Sequence, residues 1–148
     1  MVVLVIISLL AAMAAASVRR IQASSRAKAV ANDLRVFAGA LQTYNSQNNA
    51  WPAEQAAGVY PPELASAVKS ADWTRLTPFG GSYNWDNAQT HAGTKYTAAI
   101  AISSVVGRPI TATAGTIQML DKLIDDGNTA TGNFFLGAAG EPVFIIQK

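Results

Sequence analysis

Asp125, Asp126 and Asn128, in the string Ile-Asp-Asp-Gly-Asn, place three side-chain oxygen donors within four residues. Carboxylate and amide oxygens in that density are the donors that calcium takes, so these three are the candidate metal ligands. The same string is also ordinary helix-end chemistry, with Gly127 able to serve as a C-cap. Apart from that calcium candidate, no cofactor is expected. His91 is the only histidine; it lies in a polar loop beside Gly93, with no nucleophile or second base near it in the sequence. The chain has no cysteine, which removes disulfides and thiolate metal sites. None of its serines stands in a G-x-S-x-G setting. Trp51, Trp73 and Trp85 offer aromatic faces to a sugar, although tryptophans of a small domain more often pack its core. No catalytic residue is assigned, and an enzyme is not expected.

Charge narrows the partners. Residues 1–50 hold Arg19, Arg20, Arg26, Lys28 and Arg35 against Asp33, a balance of +4, whereas residues 51–148 hold six basic and eight acidic residues, a balance of −2. A nucleic-acid-binding domain carries a basic excess on its folded part. Here that part is mildly acidic, so no nucleic-acid partner is expected.

The elements that would position any site begin with "MVVLVIISLLAAMAAASVRR". Residues 1–18 carry no charge and contain eleven of Val, Ile, Leu or Met. Removing eleven such side chains from water is worth on the order of 15–30 kcal/mol. The run is apolar on every face, so it needs an apolar environment all round: a bilayer, a bundle of like helices, or a translocon before cleavage. A signal peptide has small residues to offer in "AMAAAS" but lacks the basic residues ahead of its apolar run. A membrane anchor would be at the short end of the roughly 17–25 residues needed to span. Val2, Val3, Leu4, Val5, Ile6, Ile7, Leu9, Leu10, Met13 and Val18 are the residues expected in a filament core or membrane.

The helix pattern continues past the arginines. Val30, Leu34, Phe37, Leu41 and Tyr44 recur at spacings of four, three, four and three, which places them on one helical face. That is the stripe of a helix packed on a domain. The polar string "NSQNNAWP" ends it, with Pro52 as the stop. The sequence thus divides into an apolar helical segment, residues 1–20, an amphipathic half of the same helix, 21–52, and a globular head, 53–148.

These residues resemble a family. "MVVLVIISLLAAMAAASVRRIQ" is similar to the helix start of type IV pilins and type II secretion pseudopilins. "LQTYNSQNNAWP" resembles the family's helix exit, "VYPPELASAVKS" its following short helix, and "TPFGGSYNWD" the turn that enters the sheet in pseudopilins. The likeness is strong over residues 1–52 and weakens beyond residue 86. It implies a processing glycine, an aromatic residue and a glutamate just upstream of the part matching "MVVLVII". It also implies a homo-oligomeric helical filament, built by pilus or secretion machinery from a precursor in the inner membrane and ending outside the cell or in the periplasm. Many members have a helix-breaking proline where this chain has Ala16. Unbroken helix from about Val2 to Asn45 is therefore the expectation.

In the head, "PPELASAVKS" reads as a short helix, "TPFGGSYNWD" as a turn into an aromatic strand and "NAQTHAGT" as a hairpin loop. "KYTAAIAISSV" reads as a strand with Tyr96, Ala98, Ile100 and Ile102 on one face. "TATAGTIQMLDKLIDDGN" reads as a helix, and "NFFLGAAGEPVFIIQ" as a hairpin. The expected fold is α+β: a long N-terminal helix, its apolar half projecting, packed on a small three- to four-stranded antiparallel sheet. The leading function is a structural filament subunit. The alternative is a single-span membrane protein with a small binding or sensing ectodomain.

Overall fold

The computed structural model describes the backbone of residues 2–148 and the side chains of Ile7, Ser8 and residues 17–148. Helix α1 runs without a break over Val2–Asn48. At 1.5 Å per residue its 47 residues extend about 70 Å. It stops three residues before Pro52, at Asn49, whose φ of 51° is the left-handed conformation that asparagine tolerates after a helix.

Four strands form the main sheet: β1 (Ser82–Asn87), β4 (Ala98–Ser103), β5 (Phe134–Leu136) and β6 (Pro142–Gln147), in the order β1-β4-β6-β5. Every pairing in it is antiparallel. Two short strands, β2 (Thr90–His91) and β3 (Thr94–Lys95), make a separate hairpin. Helix α3 (Ala114–Ile124) lies between β4 and β5 in the chain and packs against α1. Its N-cap is Thr113, whose hydroxyl accepts from the Thr116 amide. Its C-cap is Asp125, not Gly127; the glycine stands two residues later, in the turn, at φ 84°.

The core lies between α1 and one sheet face. Ala27, Val30, Ala31, Leu34, Phe37 and Leu41 meet Trp73, Tyr83, Trp85, Ile100, Ile102 and Phe134 there, with Ile117 and Leu120 from α3. Phe37 sits edge-on to Tyr83, centroids 5.0 Å apart, and tilted against Trp73 at 4.8 Å. Such pairs add directional attraction to simple burial. A second, smaller apolar cluster of Ala99, Ala101, Phe135, Val143 and Ile145 covers the other face.

That second cluster explains why β4 is apolar on both sides. Tyr96, expected beside Ile100, instead packs on the outer cluster. The strand begins only at Ala98, and its pairing with β6 shifts register between Ala98 and Ala99. From Ala98 on the faces alternate regularly, Ala98, Ile100 and Ile102 toward α1 and Ala99 and Ala101 away from it, so Tyr96 departs from the pattern ahead of the strand.

"PPELASAVKS" is not one helix. It forms a three-residue 3-10 turn, Pro62–Leu64, and α2 (Ser70–Thr74) starts later, after the extended Lys69. Leu64 and Val68 still reach the core together through a single turn, closed by the Val68 amide donating to the Leu64 carbonyl at 2.9 Å. "TPFGG" is a turn whose two glycines hold φ of 76° and 71°. A side chain on Gly80 would run into the Pro109 carbonyl, which accounts for that residue.

Candidate functional site

The first candidate is α1 itself. Its face from Ala27 to Leu41 is sealed against the head; Val30, Leu34, Phe37 and Leu41 are buried, and Tyr44 is half-buried. Residues 17–22 are exposed, among them Val18 at 51% and Ile21 at 67%. Ile7 is exposed as well, while Val2, Val3, Leu4, Val5, Ile6, Leu9, Leu10 and Met13 lie outside the described side chains. Among the described residues no helix is long and apolar enough to cross a membrane.

Polar contacts fix α1 to the head. Asp33 is buried, and its Oδ2 accepts from the Tyr83 hydroxyl at 2.6 Å and from Arg75 Nη2 at 2.5 Å. Burial pushes the Tyr83 phenol far above its ordinary value, and the bond to Asp33 and that carboxylate's charge push it further; only the Arg75 charge opposes them. This hydroxyl therefore stays a neutral donor. Arg35 Nη2 donates to the Leu123 carbonyl at 2.5 Å, placing a cation at the C-terminal end of α3.

The second candidate is the titratable cluster on the outer sheet face. His91 Nε2 lies 3.1 Å from Asp86 Oδ2, and Nδ1 lies 4.0 Å from Glu141 Oε1. Asn84 Nδ2 donates to Asp86 Oδ1 at 2.6 Å. Burial raises the Asp86 carboxyl to about 6; His91 opposes the shift, and Glu54 and Glu141 add to it. An imidazole beside a carboxylate is half of a general-base arrangement. Among the described residues no nucleophile is hydrogen-bonded to His91, and its ring is tilted against Tyr96 with centroids 6.4 Å apart. What the cluster does is hold the β2–β3 hairpin onto β1 and the β5–β6 turn.

The third is the loop after α3. Asp125 Oδ2 accepts from the amides of Asn133 and, at 2.8 Å, Phe134. Asp126 Oδ1 accepts from the Asn128 amide and Oδ2 from the Thr131 hydroxyl, each at 2.7 Å. Those bonds draw the Asp126 carboxyl below its ordinary value. Asn128 Oδ1 accepts from the Ala130 amide at 3.2 Å. Burial raises the Asp121 carboxyl; the Gly127 amide opposes the shift, and Asp126 and Asp125 add to it.

Trp73 and Trp85 are fully buried, so neither offers a face to a sugar. Trp51 is half-buried and tilted over Trp85, centroids 5.7 Å apart. Sequence reasoning missed Asp33, Asp86 and Asp121 as site-forming residues. Two of them had a signal. Asp33 stands three residues after Val30, and Asp121 four after Ile117, so each is an acid on an apolar stripe. Asp86 meets His91 only because the hairpin folds back, and Glu141 is fifty residues further on.

A long N-terminal helix laid by its second half across a four-stranded antiparallel sheet is the pilin fold. The structure is similar to that of the major type IV pilin PilA1 from Clostridium difficile, with a TM-score of 0.62 and 12% sequence identity over 85% of this chain and 97% of that one. No protein family and no curated protein matches the chain in sequence.

Proposed function

We propose that the chain is a structural subunit of a pilin-like filament of the type IV pilus or type II secretion class. The observation that carries this reading is the division of α1. One stretch is sealed into the head, and the stretch before it exposes Val18 and Ile21 and leads back into an uncharged run of eighteen residues. A helix of that kind is stable only where like helices or lipid surround it. In the filament the N-terminal helices of many copies bundle in the core, and the heads face solvent. The subunit waits in the inner membrane, is drawn into the filament by pilus or secretion machinery, and works outside the cell or in the periplasm. It is not an enzyme on this reading.

The test is electron microscopy of cells producing the chain, labelled with gold-bound antibody against the head. The reading expects label along filaments, on the surface or in sheared fractions. Label confined to the membrane, with no filaments in either place, would establish the single-span membrane protein instead.

A further inference from the structure

Residues 1–32 contain no acid; Asp33 is the first carboxylate in the chain, and it is buried against Arg75 and Tyr83. The same stretch carries Arg19, Arg20, Arg26 and Lys28, all exposed, starting directly after the uncharged run ends at Val18. At about 100° per residue, Arg26 stands on nearly the same side of α1 as Arg19, Arg20 a little over a quarter-turn round, and Lys28 on the opposite side. These cations ring the neck of the helix. The head continues the ring. A cavity of about 450 Å3 joins Arg26 to Arg108, Leu76 and Thr111, and a smaller one joins Arg19 and Arg26 to the loop entering α3. Val106 is fully exposed in the turn closed by Val105 and Arg108, and Leu76 is 56% exposed. Among the described residues none of these five cations forms an ion pair.

We propose that this face, the neck of α1 together with the side of the head from which it emerges, binds an anionic phospholipid surface, with a lipid phosphate seated between Arg26 and Arg108. The cavity between those two guanidinium groups has no carboxylate in its lining. Like charges that share a cavity repel until an anion enters, and phosphate is the anion that guanidinium groups take in a forked geometry. Position selects a lipid as the source of the phosphate. Side chains on a helix lean toward its N-terminus, here back toward the apolar run. Cations at that level meet the headgroup layer, where each strengthens binding to an anionic surface about fivefold. Val106 and Leu76 supply the apolar contact that accompanies charge in interfacial binding. By charge alone a second copy of the chain is the other occupant, but its head has few open carboxylates to offer. Glu54, Asp125, Asp126 and Glu141 accept from amides of their own chain, and Asp86 faces His91. The inference rests on the membrane stage of the proposed function, a stage that the single-span reading shares.

The test is thermophoretic titration of the full chain, solubilised in an uncharged detergent, with short-chain phosphatidylglycerol, short-chain phosphatidylcholine and inorganic phosphate as separate arms. The proposal expects phosphatidylglycerol to bind at least about tenfold more tightly than either of the others, with the preference falling as salt rises. Arg26→Gln combined with Arg108→Gln should cut the preference about tenfold, and lysine at both positions should keep it. Arg108 also donates to the Thr74 carbonyl, so Arg20→Gln combined with Lys28→Gln, on the exposed neck, is the second variant. It should cut the preference in the same sense at an unchanged unfolding temperature. Equal affinity for the two lipids would overturn the proposal. Inorganic phosphate binding as tightly as phosphatidylglycerol would overturn it in favour of a free-anion site. A preference unchanged in both variants would overturn it too, and filaments lost from cells producing those variants would assign the face to a neighbouring subunit. The lipid titration does not depend on assembly. Absence of filaments from cells producing the parent chain, with the lipid preference intact, would overturn the proposed function and leave this face standing.

Discussion

The stretch of α1 from Ala27 to Leu41 and the stretch from Ser17 to Gln22 belong to one continuous helix, yet they meet different surroundings. In the first, large apolar side chains point at a sheet and are sealed; in the second, Val18 and Ile21 are exposed above no other element. Hydrophobicity alone does not separate them, since Ile21 is as apolar as Leu34. What separates them is whether the chain supplies a partner. The head supplies one from Ala27 onward, and before it the partner must come from outside. On the proposed reading, a helix so divided connects two assemblies, its own domain and the filament.

The comparison breaks most visibly at Phe37. Phe37→Ala should cost about 3–5 kcal/mol of head stability, as truncation of a fully buried aromatic does. Chemical denaturation measures it, and a loss under 1 kcal/mol would mean that the Ala27–Leu41 face is not the stabilising one.

Asp33→Ala is the next largest. It strips the buried Tyr83 hydroxyl of its acceptor, which should cost about 1–3 kcal/mol. Tyr83→Phe made on top of Asp33→Ala should restore part of that loss, because it removes the stranded donor. No restoration in the double variant would show that the hydroxyl finds another partner.

The sheet face away from α1 gives a smaller effect with a pH signature. The Asp86 carboxyl is raised to about 6 in the fold, above its ordinary value of about 3.9. A raised folded value favours the protonated fold, so this stability is present below about pH 4 and is lost as pH rises through about 6. Asp86→Asn should therefore stabilise the head at pH 8 by on the order of 1 kcal/mol and have little effect at pH 4. Thermal unfolding at the two pH values checks this. Equal effects at both would show that Asp86 is not destabilised by its charge. Since Asp86 and Phe37 lie on opposite faces of the sheet, their effects should add within about 0.5 kcal/mol.

Much of this was legible in the sequence, for local reasons. The α1 stripe of Val30, Leu34, Phe37 and Leu41 follows from helical periodicity, and the order of strands and helices in the head follows from period and turn residues. The α+β class and the antiparallel sheet were readable in that way. The face of Tyr96 was not, because the strand begins only at Ala98 and the alternation that joins Ala98 to Ile100 does not extend back to Tyr96. Nor was the interruption after Leu64, where Lys69 turns extended between two helical turns. The sites were less legible than the fold. Asp125 and Asp126 attract notice as neighbours in sequence, but the third member of their group, Asp121, is defined by burial, and His91 gains Asp86 and Glu141 only through tertiary folding.

The most direct measurement of the central claim is made on Ile21→Ser, by thermal unfolding of the head and by counting filaments on cells that produce the variant. Ile21 is 67% exposed, so its loss should change head stability by no more than about 0.5 kcal/mol. The account predicts an unchanged unfolding temperature together with a marked fall in filament number. A variant that unfolds earlier while assembling as well as the parent would contradict it, because Ile21 would then serve the head and not the assembly.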